Sequence, residues 1–202
     1  MKIKKGRHYG SPFPFPHCLR RYKVNIGKTT ENNEERLMYY DTKWLSFDDT
    51  IKYNIGKEYQ ADVNKLFGFS YGYHHKNSDR IGFRYDLTTS KVQIVLYSYS
   101  DGNRLPTMII DSVDVNEQFA ISLLVQLTAT ERTITCKLVH INDNEDEKQE
   151  KPFKINIADT TSMKKKIKYS LGLYFGGNQV APRTINIHEY SKDKNGKIID
   201  KI

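Results

Sequence analysis

The sequence predicts an all-β protein: an antiparallel β-sandwich of jelly-roll type with an extended N-terminal arm. Three observations lead there. First, two segments alternate apolar and polar residues with the period of two that puts one side of a strand in a core. In 91–99, Val92, Ile94 and Leu96 face one way, and Lys91, Gln93, Val95, Tyr97 and Tyr99 the other; in 133–141, Ile134, Cys136 and Leu138 oppose Thr133, Thr135 and Lys137. Second, turn signals recur along the chain, at Asn25-Ile-Gly, Asp86 to Ser90, Asp101-Gly-Asn, Ala129-Thr-Glu-Arg, Asn142 to Glu150 and Asn195-Gly. Third, no window longer than about two turns carries an apolar stripe of helical period. The long runs at 91–128 favour a jelly roll over an immunoglobulin domain.

Residues 1–21 read as an arm. Ser11-Pro-Phe-Pro-Phe-Pro alternates proline with phenylalanine, and proline fixes φ and lacks an N–H, so the segment is extended and no central strand. Its rings either cap the domain's own core or dock on a neighbouring subunit. Residues 22–192 follow as the sandwich, with strands expected at 22–28, 36–40, 44–53, 80–86, 91–99, 104–113, 117–128, 131–141, 152–157, 167–175 and 184–190. Helix is confined to a short turn over 58–66 and another at 158–165. Residues 193–202 form a C-terminal tail. Asp101-Gly102 suits a tight hairpin, because glycine takes positive φ without steric cost, and Asp143-Asn-Glu-Asp-Glu reads as a solvated hairpin tip.

Apolar residues make up 38% of the 202, enough for a sandwich core one layer thick, and 14 tyrosines stand against a single tryptophan, a bias toward strands and half-wet surfaces. The formal charge is +8, which attracts anionic partners. The densest clusters are Lys2, Lys4, Lys5, Arg7 and Lys164, Lys165, Lys166, Lys168. Neither is interleaved with stacking aromatics and no zinc-finger or RNA-binding motif occurs, which argues against nucleic acid as partner. Cys136 alternates with Ile134 and Leu138 and reads as a buried strand residue; Cys18 follows the Pro-rich segment, and two free thiols are expected. No apolar run approaches a membrane span, and the basic N-terminus lacks an apolar h-region, so neither membrane insertion nor a Sec signal is expected.

The strongest candidate site is the loop between two strand-like runs. Tyr71, Tyr73, His74, His75, Asn77 and Arg80 combine large contact area with polar tips. Arg84, Tyr97 and Tyr99 extend this candidate binding set, with Trp44 as a further aromatic platform. His74 and His75 are adjacent, so on a strand they point to opposite faces and do not ligate one metal together. Asp48-Asp49 and Asp62 with Asn64 offer oxygen ligands, but no Asp-x-Asp-x-Asp-Gly loop accompanies them. There is no phosphate loop, nucleophile elbow or zinc spacing. Neither cofactor nor metal is expected.

Lys168-Tyr-Ser-Leu-Gly-Leu-Tyr-Phe-Gly-Gly-Asn-Gln-Val-Ala-Pro, followed by Thr184-Ile-Asn-Ile-His, resembles the end of a concanavalin A-like jelly roll. Segment 62–104, with Asp-x-Asn-Lys-Leu-x-Gly-Phe-Ser and His-His-x-Asn-Ser-x-Arg-x-Gly-Phe-Arg, resembles uncharacterised β-sandwich proteins of Bacteroides-type gut bacteria and their tailed phages. That group implies no activity to carry over. Within the superfamily, Arg80 and Arg84 are similar to the outer arginines of the Arg-x-x-x-Arg strand of alginate lyase-like enzymes, Gln93-Ile94 to their Gln-Ile-His motif, and Tyr174 to their catalytic tyrosine. The central Glu of that strand is Gly82 here, and the His after Gln-Ile is Val95. β-Elimination needs a group that neutralises the uronate and a base that takes the α-proton, so the pattern is broken where the chemistry lies. The expectation is a non-catalytic structural or binding protein, a virion component assembled in the host cytoplasm. Other protein subunits are its expected partners, with a surface glycan as a further one. The alternative is a polysaccharide-active enzyme with a degenerate site.

Overall fold

Alternation of apolar side chains builds two antiparallel sheets packed face to face. A computed structural model describes residues 2–3, 25–31, 34–53, 63–71, 76–128, 131–141, 146–156, 168–174, 185–192 and 198–200. The strands are β1 (Lys2–Ile3), β2 (Asn25–Glu31), β3 (Glu34–Phe47), β4 (Asn64–Tyr71), β5 (Ser78–Asp86), β6 (Lys91–Ser100), β7 (Asn103–Arg104), β8 (Met108–Val113), β9 (Phe119–Leu127), β10 (Glu131–Ile141), β11 (Asp146–Asn156), β12 (Lys168–Leu171), β13 (Ile185–Lys192) and β14 (Ile198–Asp200). An eight-stranded sheet runs β1-β13-β3-β9-β10-β11, with β14 also beside β13 and β2 also beside β3. A six-stranded sheet runs β12-β4-β5-β6-β7, with β8 also beside β6. The chain therefore changes sheet after β3, β8, β11 and β12. Such crossings put residues far apart in sequence face to face across one core.

The only helix among the described residues is a 3-10 turn, Asp49–Tyr53. Asp48 caps it, accepting from the Thr50 N–H at 2.9 Å and from the Thr50 hydroxyl, while its second oxygen accepts from Asn186 Nδ2 at 2.8 Å. This carboxyl is held below the usual range: desolvation opposes, but the Thr50 and Asn186 hydrogen bonds win. Its oxygens are thus engaged in joining the turn to β13, rather than displayed as ligands. Asp62 and most of the expected helical turn 58–66 lie outside the described residues, as do 158–165 and Cys18. The end of 58–66 departs from expectation: Asn64, Lys65 and Leu66 open β4, because Leu66, Phe67, Phe69 and Tyr71 all reach the core. Expected strands 36–40 and 44–53 are one continuous strand ending at Phe47, and 104–113 divides into β7 and β8 around Pro106. The arm and the tail fall mostly outside the described residues, but β1 and β14 both pair with β13. Asp101 (φ 49°) and Gly102 (φ 86°) form the expected two-residue turn, closed by Ser100 opposite Asn103. None of the described helix is long and apolar enough to cross a membrane.

Aromatic rings centre the core. Phe47 of β3 packs against Phe83 of β5 at 4.8 Å and Phe119 of β9 at 5.7 Å between centroids. All three are fully buried, each contributing about 1.5–3 kcal/mol of burial. Cys136 is a free buried thiol, its pKa pushed up by burial.

One end of the core is ionic. Arg132 of β10 and Asp79 of β5 are both 0% exposed, and Arg132 Nε lies 3.5 Å from Asp79 Oδ2. The Tyr71 hydroxyl donates to the same oxygen at 3.1 Å, and Arg132 Nη2 donates to the Tyr99 carbonyl at 3.0 Å. Tyr39 packs edge-on against Tyr71 at 5.8 Å. Burial raises the Asp79 carboxyl, with Arg132 pulling it down, and raises the Tyr71 phenol well above its ordinary value. Satisfaction is incomplete: Asp79 Oδ1, Arg132 Nε and Nη1, and Ser98 Oγ lack hydrogen-bond partners. Ser98 faces Asp79 across β5 and β6, outside hydrogen-bond geometry yet near enough to favour the charged carboxylate.

A buried pair of this kind adds little net stability but is costly to break from one side. Arg132→Met is therefore expected to lower the unfolding free energy by about 3–5 kcal/mol, and Arg132→Met with Asp79→Leu to recover most of that loss. Urea denaturation of the two variants checks this; equal losses in both would mean that the charges do not compensate each other.

Candidate functional site

In an antiparallel sheet, residues directly opposite share a face. On β6, Val92, Ile94, Leu96 and Ser98 are buried inward, so Gln93, Val95, Tyr97 and Tyr99 point to the outer face of the six-stranded sheet. Register then lays out three rows there. Tyr174, Lys65, Gly82, Val95 and Ile109 form the first. Leu171, Gly68, Arg80 and Tyr97 form the second. Tyr169, Ser70, Ser78, Tyr99 and Arg104 form the third. None of these positions is acidic.

Residues of all three rows form an aromatic–cationic cluster. Lys65 Nζ lies 4.5 Å from the centre of the Tyr97 ring, and Arg104 Cζ lies 4.8 Å from it. They come from opposite sides of β6, Lys65 from β4 and Arg104 from β7. Arg80 Cζ lies 5.9 Å and Lys65 Nζ 5.6 Å from the Tyr174 ring. Each ring attracts the cations through its negative π face. Tyr97 and Tyr99 meet edge-on at 5.6 Å, their hydroxyls 3.2 Å apart. Burial and then the Tyr99 hydroxyl push the Tyr97 phenol up to about 12, with Arg104 and Arg80 pulling the other way. The phenol therefore stays neutral.

The Gly82–Val95 part of the first row has another character. A Cβ added at Gly82 would overlap Val63 Cγ1 and lie 2.8 Å from the Asn64 carbonyl. Val63 thus packs over Gly82 beside Val95, which is fully buried although it points outward. Apolar side chains fill this part of the face.

The sequence-derived site residues separate into five groups. Arg80, Tyr97 and Tyr99 come together in the cationic cluster. Arg84 shares their face farther along β5, where its Nε donates to Gln93 Oε1 at 2.7 Å and Gln93 Nε2 donates to Asp86 Oδ2 at 3.0 Å. Tyr71 and Asn77 are buried and present no side chain to a partner. Tyr71 belongs to the ionic core, and Asn77 fastens the loop to the β6–β7 turn: its Nδ2 donates to Asp101 Oδ1 at 3.1 Å and its Oδ1 accepts from the Asp101 N–H at 3.0 Å. Tyr73, His74 and His75 lie outside the described residues. Trp44 is on β3, opposite Tyr190 and Ala120, and so belongs to the other sheet. Sequence reasoning missed Lys65, because it sits in the window read as helical, and Arg104, because nothing local marks it. It also missed Asp79 and Arg132 as core residues. Their parity marks them: Asp79 is in step with Ile81 and Phe83, and Arg132 with Ile134 and Cys136.

Two further features lie away from this cluster. Leu45, Leu66, Phe67, Leu173 and Ile187 line an apolar notch with Lys43 and Glu189 at its rim, and these two ions pair at 2.9 Å. His140 joins the sheets: its Nδ1 meets Glu117 Oε1, and its Nε2 lies 3.4 Å from Asp111 Oδ2 on β8. Among the described residues no group of three or more His, Cys, Asp or Glu side chains is placed to hold a metal ion.

The chain is similar to full-length tailspike protein 2 from Escherichia coli O157:H7 bacteriophage CAB120, with a TM-score of 0.37 and 9% sequence identity over 84% of this chain. The likeness spans 23% of that tailspike chain. No protein-family model matches the chain, and comparison with curated proteins gives no match.

The His140 clasp generates a pH prediction. Burial lowers the imidazole pKa, but Glu117 and Asp111 outweigh burial and raise it above 6.5. A raised folded value means that the clasp's stabilisation is full below the unfolded value and is lost as pH rises through the folded one. The difference in urea midpoint between the parent and His140→Gln is therefore expected to shrink as pH is raised from below 6.5. A difference that grew with pH would reverse the assignment.

Proposed function

We propose that the chain is a non-catalytic structural and binding protein of a tailed-phage virion, with the outer face of the six-stranded sheet as its recognition surface. The observation that carries the non-catalytic reading is the packing of Val63 over Gly82 beside buried Val95. Gly82 and Val95 are the two positions at which the lyase pattern requires Glu and His. They lie opposite each other in one row with Lys65 and Tyr174, so the pattern's positions converge, but apolar side chains occupy them. A side chain at Gly82 would need Val63 and the Asn64 backbone to move. The virion assignment rests on the resemblance of segment 62–104 and on the basic Pro/Phe arm.

The enzyme reading retains one argument: Arg80, Arg84, Gln93 and Tyr174 share the outer face, as a uronate-binding strand pair would require. Incubation with uronate polysaccharides decides between the two. No unsaturated product is expected in the ultraviolet. Turnover that vanished in Arg84→Ala and His75→Ala would establish the lyase instead. Mass spectrometry of purified particles tests the virion assignment: the chain is expected among the particle proteins, and its confinement to the soluble host fraction would contradict it.

A further inference from the structure

We infer that Asp101-Gly102, the two-residue turn between β6 and β7, is a site of spontaneous aspartate isomerisation, and that the Asn77 side chain sets how fast it proceeds. This inference is independent of the reading of the outer face as a recognition surface.

The chemistry belongs to the dipeptide. An aspartyl side chain can close on the peptide nitrogen that follows it. That nitrogen attacks the carboxyl carbon, its proton passes to solvent, and one carboxyl oxygen leaves as water. The product is a five-membered succinimide. Water then reopens the ring at either carbonyl. Opening at the side-chain carbonyl restores aspartate. Opening at the main-chain carbonyl leaves isoaspartate, in which the backbone runs through the side chain. One water is lost and one is regained, so no co-reactant is needed. A side chain on the following residue hinders closure, and glycine has none. Asp101-Gly102 is the single Asp-Gly pair of the sequence.

The structure leaves this pair open to the reaction. Residues 101–104 are all exposed, so water reaches both carbonyls. A Cβ added at Gly102 would meet nothing within 4 Å, so no neighbour crowds the attacking side. Three hydrogen bonds oppose closure, two of them from Asn77. Asn77 Nδ2 donates to Asp101 Oδ1 at 3.1 Å, and Asn77 Oδ1 accepts from the Asp101 N–H at 3.0 Å. The carboxyl must swing to the Gly102 nitrogen to react, and the first of these bonds holds it back. The Gly102 N–H donates to the Lys76 carbonyl at 2.8 Å, which engages the attacking nitrogen. Asn77 is itself immobile: it is 2% exposed, and its own carbonyl accepts from the Tyr71 N–H at 2.9 Å. The brake is thus rooted in the core while the reactive pair stands in solvent.

The position gives the reaction a structural effect. A two-residue hairpin fixes register through its length. Isoaspartate adds one main-chain atom between Ser100 and Asn103. These two residues face each other across the turn, and Tyr99 faces Arg104. The same pairing holds the Arg104 guanidinium 4.8 Å from the centre of the Tyr97 ring. Isomerisation therefore works against the β6–β7 pairing and against the Arg104–Tyr97 contact.

The test is prolonged incubation of the full chain at neutral pH in water enriched in heavy oxygen. Each closure and reopening leaves one heavy oxygen at the site. Peptide mass spectrometry with backbone fragmentation locates it and separates isoaspartate from aspartate. Parent, Asn77→Ala, Asn77→Asp and Asp101→Glu are compared, with the urea midpoint as the measure of fold. Asn195-Gly196 can deamidate by the same ring closure and is the internal reference. Label and isoaspartate are expected at 101–102 in the parent, and about tenfold faster in Asn77→Ala. Both are expected to be absent in Asp101→Glu, whose longer side chain would need a six-membered ring. Asn77→Asp keeps the acceptor for the Asp101 N–H and loses only the donor to the carboxyl, so its rate is expected between those of the parent and Asn77→Ala. The reference is expected to react at one rate in all four. Absence of label at 101–102 in both the parent and Asn77→Ala would overturn the site. Equal rates in the two would overturn the role of Asn77. So would an acceleration at 101–102 matched at Asn195-Gly196, because the substitution would then act through the fold as a whole.

Discussion

The structure depends on the need to pair two charges that folding takes out of water. Asp79 enters the core from the six-stranded sheet and Arg132 from the eight-stranded sheet. Neither charge is tolerable alone in that interior, so the facing ends of β5 and β10 are fixed against each other. The guanidinium also holds the Tyr99 carbonyl, and the carboxylate also holds the Tyr71 hydroxyl. Four strands, β4, β5, β6 and β10, thus meet at one ionic knot. Its incomplete hydrogen bonding means that its role is register and position more than net stability. Alternation carries that positioning outward: with Ser98 turned to the knot, Tyr97 and Tyr99 must turn to the outer face of the sheet.

On that outer face Val63 and Val95 fill the space beside Gly82, while Lys65, Arg80 and Arg104 gather around the Tyr97 and Tyr174 rings. The Asn77–Asp101 bonds tie the entry to β5 to the β6–β7 turn at one end of this surface.

Much of the fold was legible because one side of each central strand is buried. The expected strand at 131–141 matches β10, and 91–99 matches β6 within one residue. The sequence misled where tertiary packing overrides local pattern. Asn64-Lys65-Leu66 has neither strand alternation nor strong strand formers, and becomes β4 because its apolar side chains reach the core on pairing with β5. The polar stretch Asp41-Thr42-Lys43 looked like a break, but its side chains are used between strands: Thr42 with Ser122 at 2.9 Å, Lys43 with Glu189 at 2.9 Å. The candidate site was half legible. Tyr97, Tyr99 and Arg80 could be named from alternation and residue type. Lys65 and Arg104 could not, since they reach Tyr97 only through strand order. Tyr71 and Asn77 have the composition of a contact surface but serve the interior, a distinction that residue type cannot make.

The central claim is that recognition occurs on the outer face of the six-stranded sheet. Tyrosine-selective NMR during titration with oligosaccharides of the host surface tests it most directly, because 14 tyrosines are distributed over the chain. The account predicts saturable shifts concentrated at Tyr97, Tyr99 and Tyr174, with Tyr40 and Tyr190 of the opposite sheet unmoved. Shifts centred on Tyr40 and Tyr190, with Tyr97 and Tyr99 silent, would contradict it.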